Sequence, residues 1–225
     1  MMVNVCNLEN NIHVWYHYIE DYFNASYEAA MLKLPERELS ELMMYKKQED
    51  KIRRLCGRIL LQKALDATTN ACISIRQLTK NAYGKPFLPH WYHFSIAHAG
   101  RMVVLVFSQK PIGVDIECHN DNIIKYETLL EIMHPQEQEK IKNSHSPEVA
   151  FLGCWTKKEA LLKAHGTGIN DTLSSINTEC GESITYVGKK WRWVELNLQQ
   201  NYCSHIAIPY TKPLNIFKKL ILFQK

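Results

Sequence analysis

The sequence predicts an α+β protein with strands and helices in both halves of the chain. Apolar residues alternate over residues 12–19, helical periodicity runs through residues 35–67 and 125–166, and three strand candidates follow one another between residues 93 and 117. With 225 residues, of which 46% are hydrophobic, the chain can bury one large core or two small ones.

The first half begins with a strand and continues into helices. The alternation at residues 12–19 places Ile12, Val14, Tyr16 and Tyr18 on one face. The segment 35–67 is long for one helix, and the polar cluster at residues 46–50 predicts a break into two. The second of these helices carries a basic face, which either is solvated or provides one or two phosphate ligands: Arg53, Arg54 and Arg58.

Three closely spaced strands predict an antiparallel meander in the middle of the chain. The strand candidates, His93–Ala97, Arg101–Phe107 and Ile112–Glu117, are separated by short connectors. If Phe107 lies opposite Ile112, then Glu117 and His98 fall at the same end of the sheet. The meander therefore predicts a histidine close to a carboxylate.

The third strand of this meander carries two carboxylates. Asp115 and Glu117 are two residues apart, so they share one face with Cα atoms about 7 Å apart. They are either surface residues of a half-exposed strand or ligands of a hard divalent cation, which would offset their mutual repulsion.

A second group of candidate residues lies on the helix that contains Trp155. Residues three and four apart share a helix face, which places Trp155, Glu159, Leu162 and Lys163 on one stripe. Glu159 completes a capping box if the helix begins at Thr156. It lies in mid-helix, free to face a cleft, if the helix begins near Pro147. The sequence Gly166-Thr167-Gly168 ends the helix.

Composition and missing motifs exclude several classes of protein. The seven cysteines are scattered without a Cys-x-x-Cys pair, which argues against a disulfide framework and a structural zinc site. A net charge of +4 suits an acidic or phosphorylated partner but is too small to indicate nucleic acid. No apolar run would span a membrane, and no secretion signal begins the chain, so we expect a cytoplasmic protein. Walker, Rossmann, His-Glu-x-x-His and Gly-x-Ser-x-Gly motifs are absent.

Three sequence blocks follow one another along the chain: Gly84-Lys85-Pro86 followed by Phe94–Gly100, then Gly113–Glu117, then Trp155–Lys163. They resemble those of 4′-phosphopantetheinyl transferases of the surfactin-synthetase-activating type. Their order and spacing also fit, and the likeness extends from Pro35 to Gly168. The last two blocks together are a highly specific signal.

The resemblance implies a fold of two similar α+β subdomains related by a pseudo-twofold axis, each a small antiparallel sheet packed with helices. We expect an N-terminal subdomain at residues 1–110 and a C-terminal subdomain with the metal site at residues 111–225. The family reaction moves 4′-phosphopantetheine from coenzyme A to a serine of an acyl or peptidyl carrier protein, with Mg²⁺, and releases adenosine 3′,5′-bisphosphate.

The resemblance also assigns roles to residues of this sequence. Asp115, Glu117 and Glu159 match the magnesium-binding acids, with Glu159 the candidate general base. The other matches are contacts to coenzyme A: His98, Lys158 and Lys163 at the diphosphate, Arg54 and Arg37 at the 3′-phosphate, and Lys85 in the Gly-Lys-Pro element. His98 and Lys163 are also expected to act in catalysis.

One departure from the family pattern is Ala97, where many members carry serine before the histidine, and we expect activity to survive it. The expected partners are an apo carrier protein and coenzyme A, with one chain building the whole site as a monomer. Two alternatives remain: a non-catalytic binder of coenzyme A or a carrier, and another magnesium-dependent nucleotide-diphosphate enzyme. The tail Leu214–Lys225 is either a partner helix or a terminal strand or helix on its own core.

Overall fold

A computed structural model describes residues 11–20, 25–32, 34–69, 73–119, 126–168, 173–210 and 215–222. The helices are α1 (Ala25–Met31), α2 (Glu36–Met43), α3 (Gln48–Thr68), α4 (Tyr126–Leu129), α5 (Pro135–Lys142) and α6 (Pro147–His165). The strands are β1 (Asn11–Tyr18), β2 (Thr79–Lys80), β3 (Pro86–Phe87), β4 (His93–Ala99), β5 (Met102–Ser108), β6 (Gly113–Cys118), β7 (Ile184–Tyr186), β8 (Lys189–Glu195), β9 (Tyr202–Pro209) and β10 (Asn215–Leu220). None of these helices has the length and the apolar character of a membrane span.

The described residues fall within two compact units. The first comprises residues 1–79, 86–109 and 214–225, and the second comprises residues 80–85 and 110–213. This division differs from two consecutive halves, because the last strand joins the first unit and a short loop joins the second. The division into subdomains at residues 1–110 and 111–225 and their pseudo-twofold relation both stay predictions.

The first unit is a four-stranded sheet covered by a long helix. The strand order is β10-β1-β5-β4, in which β5 runs antiparallel to both neighbours and β10 runs parallel to β1. Helix α3 packs across β5, β1 and β4 through buried residues such as Leu55, Leu60 and Leu61. The predicted break between α2 and α3 is confirmed, since α2 ends at Met43 and α3 begins at Gln48.

The second unit repeats the combination of four strands and one long helix. Its sheet is antiparallel throughout, in the order β6-β9-β8-β7, and α6 packs on β6, β9 and β8. Pro147 occupies the first turn of α6, where its missing N–H removes no helical hydrogen bond. Gly166 ends the helix with φ 87°, as the glycine signal predicted. The α+β fold class is therefore confirmed.

The predicted three-stranded meander is wrong at its third strand. Strands β4 and β5 do pair as a hairpin, but β6 pairs with β9 in the other sheet. Strand β5 has no free edge for β6, because Phe107 already lies between Phe94 of β4 and His13 of β1. The derived position of His98 beside Glu117 at one end of one sheet is therefore wrong.

The C-terminal segment is a strand of the first sheet, which decides between the two interpretations of the tail. Residues 215–220 pair with β1 in register from Asn215 opposite Asn11 to Leu220 opposite Tyr16. Beyond the strand, the carbonyl oxygen of Ile221 lies 2.9 Å from Nδ1 of His17, and Ile221 is buried. The tail thus packs on its own unit.

A glycine allows β6 and α6 to approach closely. A Cβ atom at residue 113 would overlap the backbone of α6 at Ala160 and Ala164, well inside van der Waals contact. Both neighbours are backbone atoms of a helix, so they cannot turn aside as a flexible side chain can. Gly113 is therefore required by the packing, and the distance between β6 and α6 depends on it.

We expect the substitution Gly113→Ala to destabilise the protein by at least about 2 kcal/mol, because the added methyl group forces β6 away from α6. Urea unfolding followed by circular dichroism measures this loss. The matched control is Gly153→Ala in α6, where a Cβ atom meets nothing within 4 Å. That control should be neutral or stabilising by up to about 1 kcal/mol. Equal stabilities of the two variants would contradict the packing role.

Candidate active site

Three of the predicted site residues come together where β6 packs against α6. Asp115 faces the helix because it shares a face of β6 with Gly113, which lies against α6. Glu159 and Lys163 lie on α6 four residues apart and thus on one stripe. The Lys163 ammonium donates a hydrogen bond to Oδ1 of Asp115 at 2.5 Å. Because α6 begins at Pro147, Glu159 is in mid-helix and the capping-box interpretation is wrong.

Burial and mutual repulsion shift the acid–base behaviour of all three carboxyls. Burial raises the pKa of Glu117 to about 8, and the negative charge of Asp115 adds to the rise. Burial likewise raises the pKa of Glu159 to about 6, with Lys163 opposing the shift. Asp115 is 4% exposed, and its pKa is raised by burial against the lowering effect of Lys163. One lysine therefore offsets only part of the charge of these three carboxyls.

Two carboxylate oxygens in this cluster are buried without a hydrogen-bond partner. They are Oδ2 of Asp115 and Oε1 of Glu159. A buried polar atom without a partner costs free energy, so these oxygens favour a bound donor or cation. Carboxylate oxygens are also the ligands that Mg²⁺ prefers. The residues therefore fit a divalent cation in donor type.

The carboxyls are not arranged around one point as they stand. Within the ranges that the structure describes, no three or more His, Cys, Asp or Glu side chains are placed to hold a metal ion. The Lys163 ammonium lies against Asp115 instead. Glu117 is engaged by a hydrogen bond to the side chain of Trp155, a contact that the sequence did not predict. A shared cation would require these side chains to reorient, and the three-carboxylate ligand set stays a prediction.

Lys158 is not placed to bind a ligand, in contrast to its predicted role at the diphosphate. Its side chain is fully buried and its ammonium lies 2.8 Å from Oε2 of Glu137, which is also fully buried. The same ammonium donates to the carbonyl oxygens of Leu173 and Ile176. All three of its hydrogens are thus used. Lys158 ties α6 to α5 and to the segment 173–176, which is a structural role.

Lys85 is also engaged within the protein rather than extended toward a ligand. Its ammonium donates to the carbonyl oxygen of Ala164 at 3.1 Å and to that of Ile112 at 3.4 Å. Burial lowers the pKa of this lysine to about 8. The predicted contact to coenzyme A would need the side chain to leave these carbonyls.

The remaining predicted residues belong to the first unit. His98 is a half-buried residue of β4, opposite Val103 of β5. The Arg54 guanidinium carbon lies 4.0 Å from the centre of the Tyr45 ring. Arg37 is exposed, and its Nε lies 3.6 Å from Oε1 of Glu41. Arg54 is exposed as well. Their roles at coenzyme A stay predictions.

Sequence reasoning missed a histidine beside the carboxylates. His205 lies opposite Asp115 in the β6–β9 ladder and is 7% exposed. Its Nδ1 is 2.8 Å from Oγ1 of Thr156, which donates to the carbonyl oxygen of Leu152. Burial lowers the pKa of His205 to about 4, so the ring is neutral at physiological pH. The only signal in the sequence was the alternation of residue types at 202–209, which predicts a strand. No motif there distinguishes His205 from its neighbours.

Comparison with known families decides the identity of the fold. A model described as "4'-phosphopantetheinyl transferase, N-terminal" matches residues 22–110, and one described as "4'-phosphopantetheinyl transferase superfamily" matches residues 111–203. The two segments follow one another directly and together cover most of the chain. This chain belongs to the 4'-phosphopantetheinyl transferase superfamily. The three carboxylates and Lys163 lie in the superfamily segment, and His98, Arg54 and Arg37 lie in the N-terminal one.

Relatives of the transferase superfamily occur in bacteria and yeasts. The chain is 32% identical to the 4'-phosphopantetheinyl transferase gsp of Aneurinibacillus migulanus over 65% of its own length and 62% of the relative. It is 29% identical to 4'-phosphopantetheinyl transferase Sfp of Bacillus subtilis over 58% of its length and 59% of the relative. The chain is also 25% identical to an L-aminoadipate-semialdehyde dehydrogenase-phosphopantetheinyl transferase of Candida glabrata, over 91% of its own length and 86% of the relative. The matches thus span about three fifths of the two bacterial relatives.

We expect Lys158→Met to destabilise the protein by about 3–5 kcal/mol, because it leaves the Glu137 carboxylate buried without its cation. Thermal unfolding measures the loss. The double variant Lys158→Met with Glu137→Gln should recover part of it, since no buried charge remains. The control Lys163→Met removes a lysine from the same helix that is 34% exposed, and it should cost less. A Lys158→Met protein as stable as the wild type would contradict the structural role.

We expect Mg²⁺ to stabilise the protein more at about pH 8.5 than at about pH 6, because carboxylates must lose their protons to bind a cation. Because their folded-state pKa values are raised, Glu117 and Glu159 contribute most to stability below their ordinary pKa. Glu159 loses that contribution as the pH rises through about 6, and Glu117 as it rises through about 8. A cation offsets that loss at high pH. At a free concentration ten times the dissociation constant, the gain is about 1.4 kcal/mol, measured as a rise in Tm.

The control for this experiment is the double variant Asp115→Asn with Glu159→Gln, which removes two of the three charges. It should show no rise in Tm on addition of Mg²⁺ at either pH. An unchanged rise in the variant would place the cation elsewhere.

Proposed function

We propose that this protein transfers 4′-phosphopantetheine from coenzyme A to a serine hydroxyl of an apo acyl or peptidyl carrier protein, releasing adenosine 3′,5′-bisphosphate. Membership of the superfamily supports the reaction class. The observation that carries the proposal is the cluster of Asp115, Glu159 and Lys163 at the junction of β6 and α6. We further propose a monomer that acts in the cytoplasm.

The proposed reaction is a substitution at phosphorus. The serine oxygen of the carrier forms a bond to the phosphorus that carries pantetheine, and the bond from that phosphorus to the bridging oxygen breaks. The bisphosphate leaves with the electron pair, and the serine proton goes to a base. In such reactions the protein mainly positions the groups and neutralises charge.

Glu159 is our candidate for the base, acting on the serine directly or through a water molecule. A general base works best when its pKa is near the working pH, and without a cation the pKa of about 6 keeps Glu159 mostly ionised at pH 7. A bound cation would make this carboxylate a weaker base, which favours the route through a water molecule. Its buried Oε1 has no internal partner that would compete for the proton.

Lys163 is our candidate for neutralising charge on the leaving group, since its ammonium already lies at the carboxylate cluster and its side chain is partly exposed. A divalent cation, held by Asp115, Glu117 and Glu159, would supply Lewis-acid neutralisation of the diphosphate. We propose Mg²⁺ for it on the family resemblance. His98, Arg54 and Arg37 remain proposed contacts of coenzyme A.

The two alternatives need the same residues but different substrates. A non-catalytic binder would hold coenzyme A or the carrier without changing either. A different nucleotide-diphosphate enzyme would use the carboxylates and ignore carrier proteins. The mildly basic chain, with a net charge of +4, favours an acidic partner surface and so the carrier.

We expect the protein, incubated with coenzyme A, Mg²⁺ and an apo carrier protein, to raise the carrier mass by one phosphopantetheine, measured by mass spectrometry. Glu159→Gln should lower the rate by about 100-fold or more, because it removes the base while keeping the side-chain size. The control is Glu148→Gln in the first turn of the same helix, which should transfer at the wild-type rate.

Circular dichroism of each variant shows whether a lower transfer rate reflects the loss of the base or the loss of the folded structure. Wild-type rates in a folded Glu159→Gln protein would remove Glu159 from the mechanism. No mass gain with several unrelated apo carriers would remove the transferase proposal itself.

A further inference from the structure

The loop that contains Gly84-Lys85 is closed by its own hydrogen bonds. Oδ1 of Asn81 accepts the backbone N–H groups of Tyr83 at 2.9 Å and Lys85 at 2.8 Å. The backbone N–H of Asn81 donates to the carbonyl oxygen of Lys85 at 2.9 Å, and Gly84 provides the positive φ of 83° that the turn needs. The five residues 81–85 thus form a compact turn that holds its side chains in place.

Two side chains of this loop contact the last turn of α6. Nδ2 of Asn81 donates to the carbonyl oxygen of Gly166 at 3.0 Å, and the Lys85 ammonium donates to that of Ala164 at 3.1 Å. Carbonyls in the last turn of a helix have no partner within the helix and carry the negative end of its dipole. An amide and an ammonium group at this end therefore stabilise the final turn.

The same ammonium also contacts the start of β6. It donates to the carbonyl oxygen of Ile112 at 3.4 Å, immediately before the glycine that allows β6 to approach α6. Ala164 directly follows Lys163, and Ile112 precedes Asp115 by three residues. Lys85 thus joins the two backbones beside the Lys163–Asp115 ion pair.

We propose that the Asn81–Lys85 loop is a positioning element, which fixes the last turn of α6 against β6 and thereby sets the geometry of the Lys163–Asp115 pair. Its effect on catalysis rests on the proposed transfer reaction, whereas its effect on the backbone does not. Lys85 is then a positioning residue and not a contact of coenzyme A.

Burial of the ammonium supports this role, since it lowers the pKa of Lys85 to about 8, as expected for a charge turned inward. Space is also limited around the side chain. A Cβ atom at residue 166 would lie 3.1 Å from Cδ of Lys85 and 3.2 Å from Nδ2 of Asn81. The loop and the helix end fit each other closely.

Two variants test the loop, each removing one contact to α6. Lys85→Met keeps the length of the side chain and removes the ammonium, and Asn81→Ala removes the amide that holds Gly166. The matched control is Tyr83→Ala, because this loop side chain is 67% exposed. Hydrogen exchange and steady-state transfer kinetics are measured for all three and for the wild type.

In both test variants we expect backbone amides at residues 163–166 to exchange at least about tenfold faster, because a charge-assisted or buried hydrogen bond has been lost. We expect kcat to fall about ten- to a hundredfold as Lys163 and Asp115 lose their alignment. The KM for coenzyme A should stay within about twofold, since no contact to the substrate has been removed. Tyr83→Ala should match the wild type in all three measurements.

Two results would overturn the proposal. A KM for coenzyme A that rises about tenfold in Lys85→Met, with kcat and exchange unchanged, would make Lys85 a substrate contact. Faster exchange at residues 163–166 with kcat and KM unchanged would make the loop a stabilising element only. If the wild type itself transfers nothing, the proposed function fails, and exchange at residues 163–166 still decides whether the loop restrains α6.

Discussion

The candidate site depends on the close approach of strand β6 to helix α6. Gly113 permits this approach because any side chain there would overlap the helix backbone. The short distance brings the Asp115 carboxyl within hydrogen-bond reach of Lys163. Asp115 is buried there, and burial of each carboxyl of the cluster is the main cause of its raised pKa. The absence of a Cβ atom at residue 113 therefore determines both how close Asp115 and Lys163 lie and how deeply the Asp115 carboxyl is buried.

Two lysines that belong to the same sequence motif on α6 differ in burial and therefore in the roles they can have. Lys158 and Lys163 are five residues apart, which is about 140° around an α-helix, so they leave α6 in different directions. Lys158 is fully buried and paired with Glu137, whereas Lys163 is partly exposed beside Asp115. We infer that this buried ion pair fixes the arrangement of α6 and α5 more than it adds net stability. Of the two lysines, only Lys163 has a side chain that reaches the surface, which suits its proposed role in the reaction.

Local signals in the sequence predicted helices α2 to α6 and the shared face of Glu159 and Lys163 on α6. Pro147 and Gly166 mark the two ends of α6, and the spacing of four between Glu159 and Lys163 requires one face. Contacts between distant segments were not predictable in the same way. Strand β6 has a short connector to β5 but pairs with β9, about ninety residues later in the chain. The partners of Lys158 and Lys85 are likewise set by tertiary packing, which no local spacing reveals.

The parallel pairing of β10 with β1 has a consequence for the order of assembly. Residues 215–220 lie beside residues 11–16 in the first sheet, although the whole second unit separates them in the chain. During synthesis from the N-terminus, the ribosome makes this edge strand after every strand of the second unit. The first sheet is therefore completed after the described strands of the second, and nascent chains expose the open edge of β1 until residues 215–220 have been made.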